Sequence, residues 1–228
     1  MNILAVDSSS SVASVSLYKD GETFTKVNED KLTHSQTLLP LIASLLEENN
    51  VTNNDLDLYL SSKGPGSFTG IRIGISTVKA LAHVSKKNIV SFTSLDMLAE
   101  NVKEKAKYIC AIINAKNNNA YYGVYKVENN KLVTVIENAC ENIDKIIENC
   151  TNLNEEILFV GDGTESYKEN ILANNKFTIE EDLENNKQNS SSLLSLYFSL
   201  KDSALEENYA AFKPAYYRQT QAERNLKK

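Results

Sequence analysis

The sequence predicts a mixed α/β fold in which one order of elements, three strands, a helix, a strand and a second helix, occurs twice. Strand-like runs open both halves of the chain, helical spacing of apolar residues follows them, and a glycine-containing turn stands before the second helix of each half. The 228 residues, 42% hydrophobic and 24% charged, can bury one large core or two smaller ones. We therefore expect a duplicated fold with two lobes.

Three strands are expected to open the first lobe. Residues 2–7 form an apolar run typical of a buried strand, and residues 12–18 alternate as a half-exposed strand does. Asp20-Gly21 suits a tight hairpin turn. Residues 22–28 should therefore pair antiparallel with the preceding strand.

Helices and parallel strands should complete the first lobe. Leucine spacing predicts a helix over 34–49, with Pro40 bending it and Thr33 and Gln36 as a candidate capping box. The elements expected after it are a strand at 56–62, a helix at 70–86, a strand at 89–92 and a helix capped by Thr93 and Asp96.

The second half of the chain repeats this order in a shorter form. The expected elements are strands at 108–113, 120–127 and 132–137, a helix around Ile146, a strand at 157–160, a glycine turn at 161–163 and a helix around Ile171. Such a repeat is typical of the actin, Hsp70 and sugar-kinase (ASKHA) architecture, in which two similar lobes face a cleft. We predict a first lobe at 1–103, a smaller, reduced second lobe at 104–190, and a crossover helix and C-terminal tail at 191–228 that pack back toward the first lobe.

Composition narrows the classes of function. No run approaches the roughly 20 apolar residues that cross a bilayer, so we expect a cytoplasmic protein without a membrane segment. The net charge of −6 argues against a protein that captures nucleic acid alone. Free thiols and no metal site are expected, because the cysteines and histidines lack the spacing of a disulfide framework or zinc site: Cys110, Cys140, Cys150, His34 and His83.

A glycine-rich turn leads into the second predicted helix. Gly64, Gly66, Gly70 and Gly74 permit a sharp turn and a close approach of backbone, and the amides of residues 68–71 could hold an anion. The terminal Lys-Ser/Thr of a Walker loop is absent. We therefore favour helix packing and partner contact over anion binding.

The ends of the first strand of each lobe are the other candidate chemical positions. Asp7 and Ser8 stand where this fold class holds phosphate and metal-bound water, but the matching turn after 108–113 carries Asn114, which cannot act as a general base. No catalytic residue is predicted. The possible nucleotide or anion contacts are Asp7, Ser8, Gly64, Gly66, Gly161 and Gly163, with a turn or packing role as the alternative.

Three segments together resemble the bacterial TsaB (YeaZ) family. They read ILAVDSS at 3–9, HSQTLLP at 34–40 and GPGSFTGIRIG at 64–74, and the ending KPAYYR at 213–218 agrees more loosely. The resemblance implies a non-catalytic paralogue, or pseudoenzyme, that works with TsaD and TsaE to form threonylcarbamoyladenosine beside the anticodon of tRNAs reading codons that begin with adenine. TsaD carries a His-x-x-x-His metal pair, whereas the matching stretch at 92–98 contains no histidine.

The resemblance also implies partners and a docking surface. TsaD would bind directly, TsaE and tRNA only within the complex, no cofactor would be tightly held, and ATP or ADP would bind at most at the level of the complex. The chain alone would form a homodimer. The docking residues implied on the two first-lobe helices are His34, Leu38, Leu41, Leu45, Gly70, Ile71 and Ile75, with Ile71 and Ile75 as candidate anchors provided that they are not core residues. Asn114, Lys116 and Asn119 replace the family's usual acidic and basic residues. The alternative function is a small-molecule kinase or ATPase that uses Asp7 and the turn at Gly161.

Overall fold

The computed structural model describes residues 1–28, 34–200 and 204–217. Thr33, with its predicted capping box, and the predicted tail beyond residue 217 lie outside these residues. The first sheet has the order β11-β5-β4-β1-β2-β3. Its strands are β1 (Ile3–Asp7), β2 (Ala13–Lys19), β3 (Glu22–Asn28), β4 (Leu58–Ser62), β5 (Ile89–Phe92) and β11 (Glu206–Glu207).

The second sheet repeats the order of the first. It runs β10-β9-β6-β7-β8. Strands β6 to β10 therefore occupy the positions that β1 to β5 occupy in the first sheet. In both sheets the first strand pairs antiparallel with the second and parallel with the fourth. The duplicated two-lobed architecture is thereby confirmed. The strands are β6 (Tyr108–Asn114), β7 (Asn119–Glu128), β8 (Lys131–Asn142), β9 (Ile157–Val160) and β10 (Phe177–Ile179).

Seven α-helices among the described residues cover the sheets. Those of the first lobe are α1 (His34–Glu48), α2 (Phe68–Ser85) and α3 (Ser94–Asn101); the others are α4 (Ile143–Asn152), α5 (Gly163–Ser166), α6 (Lys168–Leu172) and α7 (Ser190–Leu200). Buried side chains of α1 and α2 pack on one face of the first sheet, and α7 packs on its opposite face. The helices α4 and α6 cover the second sheet, while α3 packs against strands of the second lobe.

Several predicted boundaries are corrected. The strand expected from residue 56 begins at Leu58, because a short 3-10 helix (Asn53–Asp55) precedes it. The strand expected to end at 137 continues to Asn142, because β7 offers it partners over that whole length. The single helix expected around Ile171 is two short helices, since Tyr167 leaves helical geometry at φ −124°. The strand β10 was not predicted.

The C-terminal segment completes the first lobe. Strand β11 pairs antiparallel with β5 at the sheet edge, and the Phe212 ring is buried among the core residues of α1 and α2. Further along, the Ala215 amide donates to the Lys63 carbonyl at 2.8 Å. Residues 204–217, which we call the strap, therefore lie against α2 and the loop that precedes it.

Candidate functional site

A cleft of about 430 Å³ opens between the two lobes. The first lobe lines it with the loop after β1, including Ser9 and Ser10, and with Ser67 at the start of α2. The second lobe contributes Asn114 at the end of β6 and Asp162 after β9. Both lobes thus bring the carboxyl ends of their central strands to one opening.

Glycines hold the first-lobe side of the cleft together. A Cβ on Gly66 would lie 2.1 Å from the Ser9 carbonyl oxygen, and one on Gly70 would lie 2.1 Å from that of Ser8. The Ser67 amide donates to the Ser9 carbonyl at 2.7 Å, and the Ser8 hydroxyl donates to the Gly70 carbonyl at 2.9 Å. The loop after β1 and the start of α2 are in direct backbone contact, as the packing interpretation of these glycines expects.

Asp7 is buried beneath this contact. Its Oδ1 accepts from the Ser9 amide at 3.2 Å, and its Oδ2 has no hydrogen-bond partner among the described residues. Burial raises the pKa of Asp7, although the hydrogen bond from Ser9 acts in the opposite direction. Asp7 is not one of the described residues that line the cleft. The carboxyl group therefore lies behind the opening.

Polar side chains on the second-lobe side of the cleft bond to one another. The Asp162 carboxylate accepts from the Asn114 amide at 2.9 Å, and the Asn114 side-chain amide donates to the Ser166 hydroxyl at 2.7 Å. Gly161 has a φ of 115°, and a Cβ there would lie 2.3 Å from the Ile112 carbonyl. Asp162 therefore closes the turn between β9 and α5.

A buried polar network joins the lobes at the start of α3. The Tyr125 hydroxyl lies 2.8 Å from both Asp96 Oδ1 and Asn138 Oδ1, and the Asn138 side-chain amide donates to the Thr93 hydroxyl at 3.1 Å. Burial, followed by the Asp96 charge, raises the pKa of Tyr125 well above its ordinary value, so the phenol remains a donor. Sequence reasoning found only the Thr93 and Asp96 capping box, because no local pattern links it to Tyr125 or Asn138.

The predicted docking residues are largely interior. Leu38, Leu45, Ile71 and Ile75 are buried in the first-lobe core, which corrects the two isoleucines as candidate anchors. Gly70 packs on the loop after β1, Leu41 is half-buried against the core, and His34 donates from Nε2 to the Ser10 carbonyl at 2.8 Å. A residue that fills its own core cannot also present its side chain to a partner.

The outward faces of α1 and α2 nevertheless carry apolar side chains. Leu39 is 54% exposed, Phe68 41% and Val84 73%. A shallow depression of about 520 Å³ lies beside the start of α2 and is lined by small side chains such as Ser35, Thr69 and Ser76 as well as Phe68. We call the solvent-exposed sides of α1 and α2, which carry Leu39 and Val84, the outer helical face.

Two features are absent from the described residues. They contain no helix that is both long and apolar enough to cross a membrane. They also contain no group of three or more His, Cys, Asp or Glu side chains placed to hold a metal ion.

The duplicated lobes and the cleft between them define a protein of the actin-like, ASKHA class. The family model described as TsaD, tRNA N6-adenosine threonylcarbamoyltransferase, matches residues 29–226. The chain is 35% identical to a Buchnera aphidicola (subsp. Schizaphis graminum) protein named tRNA threonylcarbamoyladenosine biosynthesis protein TsaB, over 75% of this chain and 83% of that one. A Bacillus subtilis protein of the same name is 30% identical over 75% of each chain.

A solved structure shows the same fold. A Pseudomonas aeruginosa protein described as similar to peptidase YeaZ superposes with a TM-score of 0.81 and 23% identity, over 95% of this chain and 99% of that one. Taken with the sequence relatives, these findings show that the chain belongs to the TsaB (YeaZ) family.

Proposed function

We propose that this chain is a non-catalytic subunit for threonylcarbamoyladenosine synthesis on tRNA, and that it acts by binding a TsaD-type transferase through the outer helical face. The names of its relatives support the pathway. The match to the transferase family model supports a partner that shares its fold. In this proposal TsaE supplies ATP hydrolysis, ATP or ADP binds only at the level of the complex, and tRNA is held mainly by the partner.

The outer helical face is the observation that carries the docking proposal. Leu39 on α1 and Val84 on α2 expose large apolar side chains, although each helix also buries a full apolar side in the core. Exposed apolar surface is stabilised when a partner covers it, and a specific interface buries about 1,200–2,000 Å² in total. A second copy of this chain would cover the same face in the absence of the transferase.

The cleft supports a non-catalytic role for this chain. Asp7 lies behind the opening, and its matching place in the second lobe is taken by Asn114, which bonds to Asp162 and Ser166. The stretch at 92–98, where TsaD carries histidines, contains Thr93, which bonds to Asn138. The side chains of Asn114 and Thr93 therefore already have hydrogen-bond partners within the chain.

The test is co-purification with the TsaD-type protein of the same organism. Leu39→Glu and Val84→Glu should each weaken capture at least tenfold, because each places a charge within an apolar interface. Val133→Glu and Val135→Glu are matched controls, since both valines are exposed on β8 in the second lobe. Unchanged capture by the helix variants, with cooperative unfolding retained, would refute the docking proposal.

A further inference from the structure

We propose that the strap and the start of α2 form a cationic surface that contacts RNA directly. The surface consists of Lys63, Arg72 and Lys213, with Phe68 and Tyr216 as its aromatic part, and we call it the cationic strap surface. The inference rests on the proposed function, because the RNA is the tRNA of the complex. It adds to that function a direct contact made by this chain.

A backbone hydrogen bond and ring contacts place the strap beside the start of α2. The Ala215 amide donates to the Lys63 carbonyl at 2.8 Å, which places the strap beside the loop before α2. The Arg72 Nε donates to the Tyr216 hydroxyl at 3.0 Å, and the Arg72 guanidinium carbon lies 3.7 Å from the Phe68 ring centre. The surface is thus built by residues more than 140 positions apart in sequence.

The cations of this surface are not neutralised within the chain. Lys63, Arg72 and Lys213 have no carboxylate partner among the described residues, whereas lysines elsewhere, such as Lys103 and Lys105, are paired with glutamates. Only Nε of the Arg72 guanidinium is used by a described residue, so its terminal N–H groups remain available. Unpaired guanidinium and ammonium groups are the donors that bind phosphate.

The C-terminal part of the sequence is locally basic. The chain carries a net charge of −6, yet residues 213–228 contain five basic side chains and one acidic side chain. The remainder of the chain is therefore strongly acidic, and acidic surface repels a polyanion. Exposed rings at Phe68 and Tyr216 favour RNA over an acidic protein, because unpaired bases stack on aromatic side chains.

The experiment measures tRNA binding by the complex of this chain with its TsaD-type partner over a range of salt concentrations. Lys63→Gln with Lys213→Gln should weaken binding at 0.1 M salt by on the order of tenfold or more, and should lower the slope of log affinity against log salt by about 0.7–0.9 per lost contact. Lys131→Gln with Lys168→Gln is the control, because it makes the same charge change on exposed lysines of the second lobe. Arg72→Lys separates charge from stacking and should lose less affinity than Arg72→Gln.

The outcomes distinguish this inference from the proposed function. If the complex forms and binds tRNA but the Lys63 and Lys213 variant shows the wild-type affinity and salt slope, the RNA contact is wrong while the docking proposal stands. An equal loss in the control variant would also refute it, because net charge alone would then be responsible. Loss of TsaE capture with tRNA affinity intact would identify an acidic protein as the ligand and overturn the inference. Failure of the wild-type chain to bind the transferase would count against the proposed function instead.

Discussion

The two lobes share a strand order but differ in the helix that follows their fourth strand. In the first lobe this helix is α2, with 18 residues, whereas the second lobe has α5 and α6, with 4 and 5. Gly70 and Gly74 let α2 lie directly on the loop after β1, and the helix continues far enough to expose apolar side chains beyond the core. The first lobe therefore presents exposed apolar side chains of α2, such as Val84, to solvent.

The second lobe uses the corresponding chain to close a polar turn. Tyr167 interrupts the helix, and its hydroxyl donates to the Asn119 carbonyl at 2.8 Å. Asp162 and Asn114 bond to each other across the same turn. One duplicated unit has thus produced a long helix with exposed apolar side chains in the first lobe and a short, internally bonded connection in the second.

The largest expected effect concerns the strap, whose Phe212 ring lies in the first-lobe core. Phe212→Ala should lower the free energy of unfolding by about 3–5 kcal/mol, because a fully buried ring leaves a cavity. Leu205→Ala is the control, since Leu205 is 82% exposed. Denaturant unfolding measures both variants. A Phe212→Ala protein as stable as the control would show that the strap is not part of the first-lobe core.

The glycine contacts of the two lobes can be compared directly. Gly70→Ala and Gly161→Ala should each lower the free energy of unfolding by about 1–3 kcal/mol, because the new Cβ would overlap a carbonyl oxygen of Ser8 or Ile112. Gly21→Ala, which meets open space, should cost only about 1 kcal/mol for its left-handed backbone. Stabilisation by Gly70→Ala, as helix propensity alone would give, would contradict the packing role.

The hydrogen-bond network around Tyr125 should contribute less to the free energy of unfolding than either hydrophobic core does. Tyr125→Phe should lower the free energy of unfolding by about 1–2 kcal/mol, because the half-buried oxygens of Asp96 and Asn138 lose the hydroxyl donor that they share. Tyr18→Phe should change it by less than about 0.5 kcal/mol, since no described residue bonds to the Tyr18 hydroxyl. Equal stability of the two variants would mean that the network does not join the lobes energetically.

The smallest effect concerns the pH dependence of stability. Asp7 titrates, whereas Asn114, its counterpart in the second lobe, does not. Burial raises the pKa of Asp7 above 3.8, so its stabilising protonation is complete below pH 3.8 and lost as the pH rises through the folded-state pKa. Asp7→Asn should therefore make stability fall less steeply above pH 3.8, by at most about 1.4 kcal/mol per pH unit. Unfolding titrations at several pH values check this. Identical slopes for the two proteins would contradict a raised pKa.

Local patterns predicted the repeated elements better than they predicted the surfaces. Apolar periodicity located β5 and β9 at their observed bounds, and the Asp20-Gly21 turn joins β2 to β3 as expected. The same periodicity could not distinguish core residues from docking residues. Ile71 and Ile75 fit the spacing expected of either, and only their burial in the structure shows that they are core residues. The bond from Tyr125 to Asn138 and the contact of Arg72 with Tyr216 depend on tertiary neighbours, for which the sequence carries no local signal.

Reconstitution of tRNA modification from purified proteins tests the central claim most directly. The TsaD-type and TsaE-type proteins of the same organism would be incubated with tRNA, ATP and the threonylcarbamoyl donor, with and without this chain. We predict that modified adenosine forms only when this chain is present and that the chain alone forms none. Modification at the same rate in its absence, or formation of product by the isolated chain, would contradict the account.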